Sequence, residues 1–148
     1  MADAAVHSAK APWHIWVVGI VSLLWNSFGA LDFVMTQTRN QAYMRGFTQA
    51  QLDFYYGFPA WVVASWAIAV WGGVLGSLLL LLRRRQATHL FLASLLCMVL
   101  TDIRNFSIPN GLMIMGGAPA SVFSAVIFMI GVLLLLYARS MRKRGVLR

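Results

Sequence analysis

The chain has 148 residues, of which 60% are hydrophobic and only 11% are charged, and this composition excludes an ordinary soluble domain. The formal net charge of +8 does not indicate a nucleic-acid partner, because the basic residues flank apolar stretches instead of lining one face. A single cysteine, Cys97, excludes a disulfide framework within the chain.

Four apolar stretches carry most of the chain. A bilayer core of about 30 Å is crossed by about 20 helical residues, and each stretch is long enough to do so. The sequence therefore predicts an all-α membrane protein, a four-transmembrane-helix bundle in the lipid bilayer that forms a single membrane domain over residues 1–148. The predicted spans are Trp13–Met35, Phe58–Leu82, Ala87–Phe106 and Ala118–Tyr137.

The basic residues predict the orientation of these spans. Only three basic residues lie on the side of the membrane that holds the loop between the first two spans: Arg39, Arg45 and Arg104. Cytoplasmic loops carry the excess of lysine and arginine, so both termini are predicted to be cytoplasmic. The basic residues on the predicted cytoplasmic side are Lys10, Arg83, Arg84, Arg85, Arg139, Arg142, Lys143, Arg144 and Arg148.

The loop between the first two spans contains a helix signal. Thr48 and Gln51 form the pattern of a capping box, and Leu52 and Tyr55 follow at helical spacing. We predict a short outer helix on the membrane surface, which acts as a connector or, alternatively, as a lid or docking element.

Small residues recur along the second span at spacings of three and four. Such residues let two helix backbones approach closely in lipid, where no hydrophobic effect drives association. The pattern predicts close packing inside the bundle or, alternatively, self-association of protomers. The residues are Ser65, Ala69, Gly72, Gly73, Gly76 and Ser77.

Two spans carry polar stripes. Ser22 and Asn26 share a face of the first span, and Ser94, Cys97 and Thr101 share a face of the third span, which Asn105 extends. The stripes are predicted to face each other and to form hydrogen bonds. A solute path between them is the alternative.

Charged residues gather at the predicted outer ends of the spans. Asp32, Asp102, Arg104 and Asn105 form a candidate outer cluster. With Asp53, Arg39 and Arg45 nearby, the charges balance and predict a salt-bridged outer cap. A carboxylate within a span also indicates proton or substrate binding, which remains the alternative.

His14 and His89, on neighbouring helices, are weak candidate metal or haem ligands, and both are shallow in their spans. A haem or quinone site is therefore disfavoured, and we predict neither a metal nor a cofactor. The sequence has no GxSxG, HExxH, P-loop, CxxC or dinucleotide-binding glycine pattern, so the chain is predicted not to be an enzyme.

Several short motifs resemble a family of small four-span inner-membrane proteins of proteobacteria. They are Leu24-Trp25-Asn26, Gly29, Asp32-Phe33, Pro59-Ala60-Trp61, Trp71-Gly72, Leu78–Leu82 and Tyr137-Ala138-Arg139. The resemblance covers nearly the whole chain and implies the four-span fold and a location in the bacterial inner membrane. The family is uncharacterised, and its members are sometimes labelled sugar transporters. The spans of this chain lack the converging polar groups that a sugar site favours.

Two hypotheses for function follow. The first is an accessory, assembly or structural subunit whose partners are other membrane protein subunits. The second is a small-solute transporter that acts as a homo-oligomer, because four helices enclose little volume.

Overall fold

This computed structural model describes residues 10–148, and the first nine residues of the predicted single domain lie outside that range. The described chain consists of α-helices joined by short turns. The helices are α1 (His14–Gln37), α2 (Gln41–Met44), α3 (Gln49–Tyr56), α4 (Ala60–Leu81), α5 (Gln86–Ser107), α6 (Gly111–Met115) and α7 (Ala118–Lys143).

Four of these helices are long and apolar enough to cross a membrane: α1, α4, α5 and α7, with 24, 22, 22 and 26 residues. The predicted all-α four-helix membrane bundle is therefore confirmed. The predicted span ends agree with the helix ends to within two residues, except that α7 continues past Tyr137 to Lys143. Met141, only 2% exposed, packs into the core and keeps this last turn helical.

Among the spans, α4 packs against both α1 and α5, and α5 packs against α7. His14 of α1 also contacts Tyr137 of α7 at one end of the bundle. Consecutive spans run antiparallel. We call the end that carries Arg83–Arg85 and Arg139–Arg148 the basic end. The opposite end, formed by residues 38–59 and 108–117, is the loop end.

The main apolar core lies at the basic end and draws on all four spans. Ile15, Leu80, Phe91 and Ala138 are each at most 3% exposed, and they come from α1, α4, α5 and α7 respectively. Because one cluster contains residues of all four spans, apolar contacts hold the four helices together at this end of the bundle.

The segment after α7 folds back into that core. Val146 and Leu147 are buried in it, at 3% and 2% exposure. The main chain of Arg148 donates to the Arg83 carbonyl at 2.7 Å and accepts from the Arg85 amide at 2.9 Å. These bonds join residues 146–148 to the turn between α4 and α5.

The loop end holds the short helices. The predicted capping box of α3 is confirmed, because Thr48 Oγ1 accepts from the Gln51 amide and Gln51 Oε1 accepts from the Thr48 amide. The helix α2, capped by Asn40, was not predicted, because four residues are too few to produce a periodic pattern.

Candidate functional site

The small residues of α4 lie inside the bundle on two faces. A Cβ on Gly73 would overlap the Asn26 side chain of α1. On the other face, a Cβ on Gly72 would lie 3.2 Å from Ser94 Cβ, and one on Gly76 would lie 2.9 Å from the Phe91 ring, both on α5. The six predicted packing residues are all buried: Ser65, Ala69, Gly72, Gly73, Gly76 and Ser77.

A hydrogen-bonded group joins α1 to α4. Asn26 Nδ2 donates to the Ser22 carbonyl at 2.8 Å and to Ser77 Oγ at 3.1 Å. Ser77 Oγ in turn donates to the Gly73 carbonyl at 2.9 Å. The amide of Asn26 therefore bonds in the space that the absent side chain of Gly73 leaves open.

The polar stripe of α5 also bonds to α4, or back to its own helix. Ser94 Oγ donates to the Ala69 carbonyl at 2.5 Å, and Thr101 Oγ1 donates to the Cys97 carbonyl at 2.9 Å. The prediction that the stripes of α1 and α5 face each other is wrong, because α4 lies between them. The small residues of α4 admit both neighbours closely, which spacing within α1 and α5 alone does not reveal.

The carboxylates of the loop end bond to neutral groups. Asp32 Oδ1 accepts from the Tyr43 hydroxyl at 2.7 Å, and Asp53 Oδ1 accepts from Gln49 Nε2 at 2.8 Å. Asp102 Oδ1 accepts from Ser124 Oγ at 3.3 Å. Within residues 10–148 none of the three pairs with an arginine, so the predicted salt-bridged outer cap is wrong.

Two arginines of the loop end lie against aromatic rings instead. The Arg104 guanidinium carbon is 4.8 Å from the ring centroid of Phe58 and 5.4 Å from that of Phe54. The corresponding atom of Arg39 lies 4.5 Å from the ring of Tyr56. Aromatic faces attract cations, and the aromatic run from residue 54 to residue 58 was the sequence signal that counting charges overlooked.

Two tyrosines near the loop end keep their protons to higher pH than usual. The hydrogen bond to Asp32, helped by burial and the nearby charge, raises the pKa of Tyr43 to about 12. Burial, and then the charge of Asp32, raises the pKa of Tyr55. The Tyr43 hydroxyl therefore remains a donor to Asp32 at neutral pH.

The structure divides the predicted outer cluster. Asp32 bonds to α2, whereas Asp102 bonds to α7, and α4 separates their helices. Asn105 is 7% exposed, and its Oδ1 atom and one terminal nitrogen of Arg104 are buried without a hydrogen-bond partner in the described part of the chain. The four residues therefore share the loop end without forming one bonded site.

The two histidines lie at the basic end, each beside a different residue of α7. His14 Nδ1 is 2.5 Å from the Tyr137 hydroxyl, and His89 Nε2 is 3.5 Å from an Arg142 nitrogen. Within residues 10–148, no three histidine, cysteine or acidic side chains are grouped to hold a metal ion.

No protein family, curated protein or solved structure matches the chain. The family resemblance carried by the short motifs therefore stays a prediction.

Proposed function

We propose that the chain is a non-enzymatic accessory subunit, with a structural or assembly role, in a larger membrane complex. One observation carries the proposal: the polar side chains at the contacts of α4 with α1 and α5 form hydrogen bonds within the bundle. Asn26 and Ser77 join α1 to α4, and Ser94 joins α5 to α4. Groups used in this way stabilise packing and are not free to conduct a solute.

The close contacts between spans support the same function. The Asn26 side chain lies against Gly73, and the Phe91 ring lies against Gly76. Interfaces of this kind hold helices together through van der Waals contact and hydrogen bonds. A path for a solute between α1, α4 and α5 would require these contacts to open.

The helix α7 is the favoured surface for a partner. Its most apolar 18-residue window is only 6% buried, compared with 39% for α4. Val122 and Phe123, both more than half exposed, lie on its first half. In this proposal, the exposed surface of α7 around Val122 and Phe123 packs against a transmembrane helix of another subunit.

A homo-oligomeric small-solute transporter is the second candidate. Asp102 favours it, because a half-buried carboxylate within a span has only Ser124 as a hydrogen-bond partner among the described residues. A second copy of the chain against α7 would place this carboxylate between protomers.

Location and orientation belong to the proposal as well. The excess of basic residues at the basic end supports a bacterial inner-membrane protein with both termini in the cytoplasm. A reporter that is active only in the cytoplasm, fused after Arg148, is expected to be active. Activity only from a periplasmic reporter at that position would reverse the orientation.

Site-specific photo-crosslinking in native membranes tests the function. Phe123 of α7 and Leu24 of α1 are both 60% exposed, so a crosslinker at Leu24 is a matched control. We expect a discrete adduct with one other protein from position 123 and none from position 24. An adduct with the mass of two copies would favour the transporter, whereas lipid adducts alone from both positions would contradict the accessory role.

A further inference from the structure

Among residues 10–148, the cations gather at the basic end and the acidic side chains lie toward the loop end. Asp32, Asp53 and Asp102, the acidic residues within residues 10–148, all belong to α1, α3 and α5 near the loop end. Lysine and arginine at the edge of a membrane attract anionic lipid headgroups. The described cations of the basic end are Lys10, Arg83, Arg84, Arg85, Arg139, Arg142, Lys143, Arg144 and Arg148.

Three of these cations meet in one place. Arg139, Arg142 and Lys143 line a surface depression of about 410 Å³ on the last turns of α7. Their spacing of three and four residues puts them on one face of the helix, where like charges repel. All three are exposed, and His89 of α5 lies 3.5 Å from Arg142. An anion bound in the depression would relieve this repulsion.

The C-terminal end of a helix repels anions, so an anion can bind at the end of α7 only if the nearby cations outweigh the helix dipole. The dipole of a helix places about half a negative charge at its C-terminus. Arg139, Arg142 and Lys143 carry three positive charges on the last turns of α7, and Arg144 follows directly. The cations therefore outweigh the dipole, and the depression remains attractive to an anion.

An apolar row leads from the depression toward the bilayer centre. Leu136, Leu133 and Met129 are each more than half exposed. Leu136 and Met129 lie seven and fourteen residues before Lys143, on its face of the helix, and Leu133 lies beside them. From Arg139 to Met129 the helix rises about 15 Å, which is half the thickness of a bilayer core. A ligand that continues from a phosphate into an acyl chain would cover both parts, whereas free phosphate would cover only the first.

We propose that the depression lined by Arg139, Arg142 and Lys143 binds the headgroup of an anionic phospholipid, with its acyl chain along Leu136 and Leu133. Three cations within one turn match a headgroup with two phosphates better than one with a single phosphate. The preferred lipid class is therefore a diphosphatidyl lipid. The site is independent of the accessory function and requires only that the chain lies in a membrane.

Native mass spectrometry of the purified full chain tests the site, with tetraoleoyl cardiolipin, dioleoyl phosphatidylglycerol and dioleoyl phosphatidylcholine as probes. We expect affinity to fall in that order. The triple variant R139Q/R142Q/K143Q should lose cardiolipin affinity on the order of 100-fold, since each basic residue near the surface contributes about five-fold. Unchanged helix content by circular dichroism would show that the variant still folds.

The matched control is R84Q/R85Q/R148Q, which removes the same charge from exposed side chains at the same end, outside the depression. It should lose much less affinity than R139Q/R142Q/K143Q, because none of its three side chains lines the depression. Equal losses of cardiolipin affinity in both triple variants would mean that the overall charge of the basic end, and not the depression, attracts the lipid. That result would overturn the proposal. Displacement of cardiolipin by inorganic phosphate would also overturn it, in favour of a free-anion site.

One acidic residue, Asp3, lies outside the described range and provides a further check. If Asp3→Asn raised cardiolipin affinity by as much as the triple variant lowers it, the natural occupant of the depression would be the chain's own first segment and not a lipid. The proposal requires this substitution to change the affinity by less than about five-fold, the effect of one surface charge.

Discussion

Replacing Gly73 by alanine probes the contact on which the packing of α1 against α4 depends. The added Cβ would overlap Asn26 Oδ1 and would come within 2.8 Å of Asn26 Cγ, so the amide must move. Overpacking a close interface costs about 1–3 kcal/mol. Displacing Asn26 also weakens its bond to Ser77, which contributes about 0.6 kcal/mol in a membrane.

One effect works in the opposite direction. Alanine is favoured over glycine in a helix by about 0.5–1 kcal/mol, which offsets part of the loss. The free energy of unfolding of Gly73→Ala should therefore fall by about 1–2 kcal/mol. We would measure it by reversible unfolding in mixed micelles of increasing SDS fraction, followed by circular dichroism.

A matched variant and a double mutant complete the test. Gly29→Ala adds the same methyl group to the same interface, but its Cβ would lie 3.7 Å from Val70, an ordinary contact, so it should be neutral or stabilising. Combining Gly73→Ala with Asn26→Ala should remove the overlap, so the two effects should not add. Equal stabilities of the two glycine variants, or strict additivity in the double mutant, would refute the proposed contact.

Three further predictions use the same unfolding assay or a pH titration. Leu147→Ala should lower stability by about 2–5 kcal/mol, because its side chain is 2% exposed, whereas Leu133→Ala at 57% exposure should have little effect; similar values for both would place residues 146–148 outside the core. Ser94→Ala should cost about 0.6–1.7 kcal/mol through its lost bond to Ala69, and no loss would mean that the bond does not join α5 to α4. The phenolate absorbance of Tyr43 should appear near its pKa of about 12 in the natural chain and closer to 10 in Asp32→Asn, measured as the difference from Tyr43→Phe. Because the folded-state pKa is the higher one, the stability from this bond is complete below pH 10 and is lost between about pH 10 and 12, and an unshifted titration would contradict the bond.

Hydropathy was sufficient to predict the spans, because their length and apolar content are properties of each segment alone. The capping box at Thr48 was equally local, and it was correct. The extension of α7 to Lys143 was missed, because its support comes from Met141 packing into a core built by other helices. The long spans and the capping box depend on their own residues and could be predicted, whereas the end of α7 depends on distant neighbours and could not. The local cap of α2 was missed for another reason, since four residues give no periodic pattern.

The site residues follow the same division. Periodicity correctly placed Ser22 with Asn26 and Ser94 with Thr101 on shared faces, but a shared face does not identify its neighbour. The neighbour proved to be α4, whose small residues contact one helix on each side. Likewise, balanced charges at the loop end indicated complementarity, yet Arg104 lies against the rings of Phe54 and Phe58. Counting charges gives no weight to these uncharged partners.

The bonds inside the bundle also limit how the chain could act as a transporter. Opening a path along Asn26 would break its bond to Ser77 and expose the buried Ser77 hydroxyl, whose bond to Gly73 lies within α4. In lipid no water replaces a lost partner, so such an opening is costly unless a solute supplies new bonds. Asp102 differs, because its bond to Ser124 lies at the boundary of α5 and α7, away from the α1–α4 contact. If the chain does carry a solute, the route therefore runs beside α7 and between protomers, and Asp102→Asn would abolish uptake without lowering the stability of the α1–α4 interface.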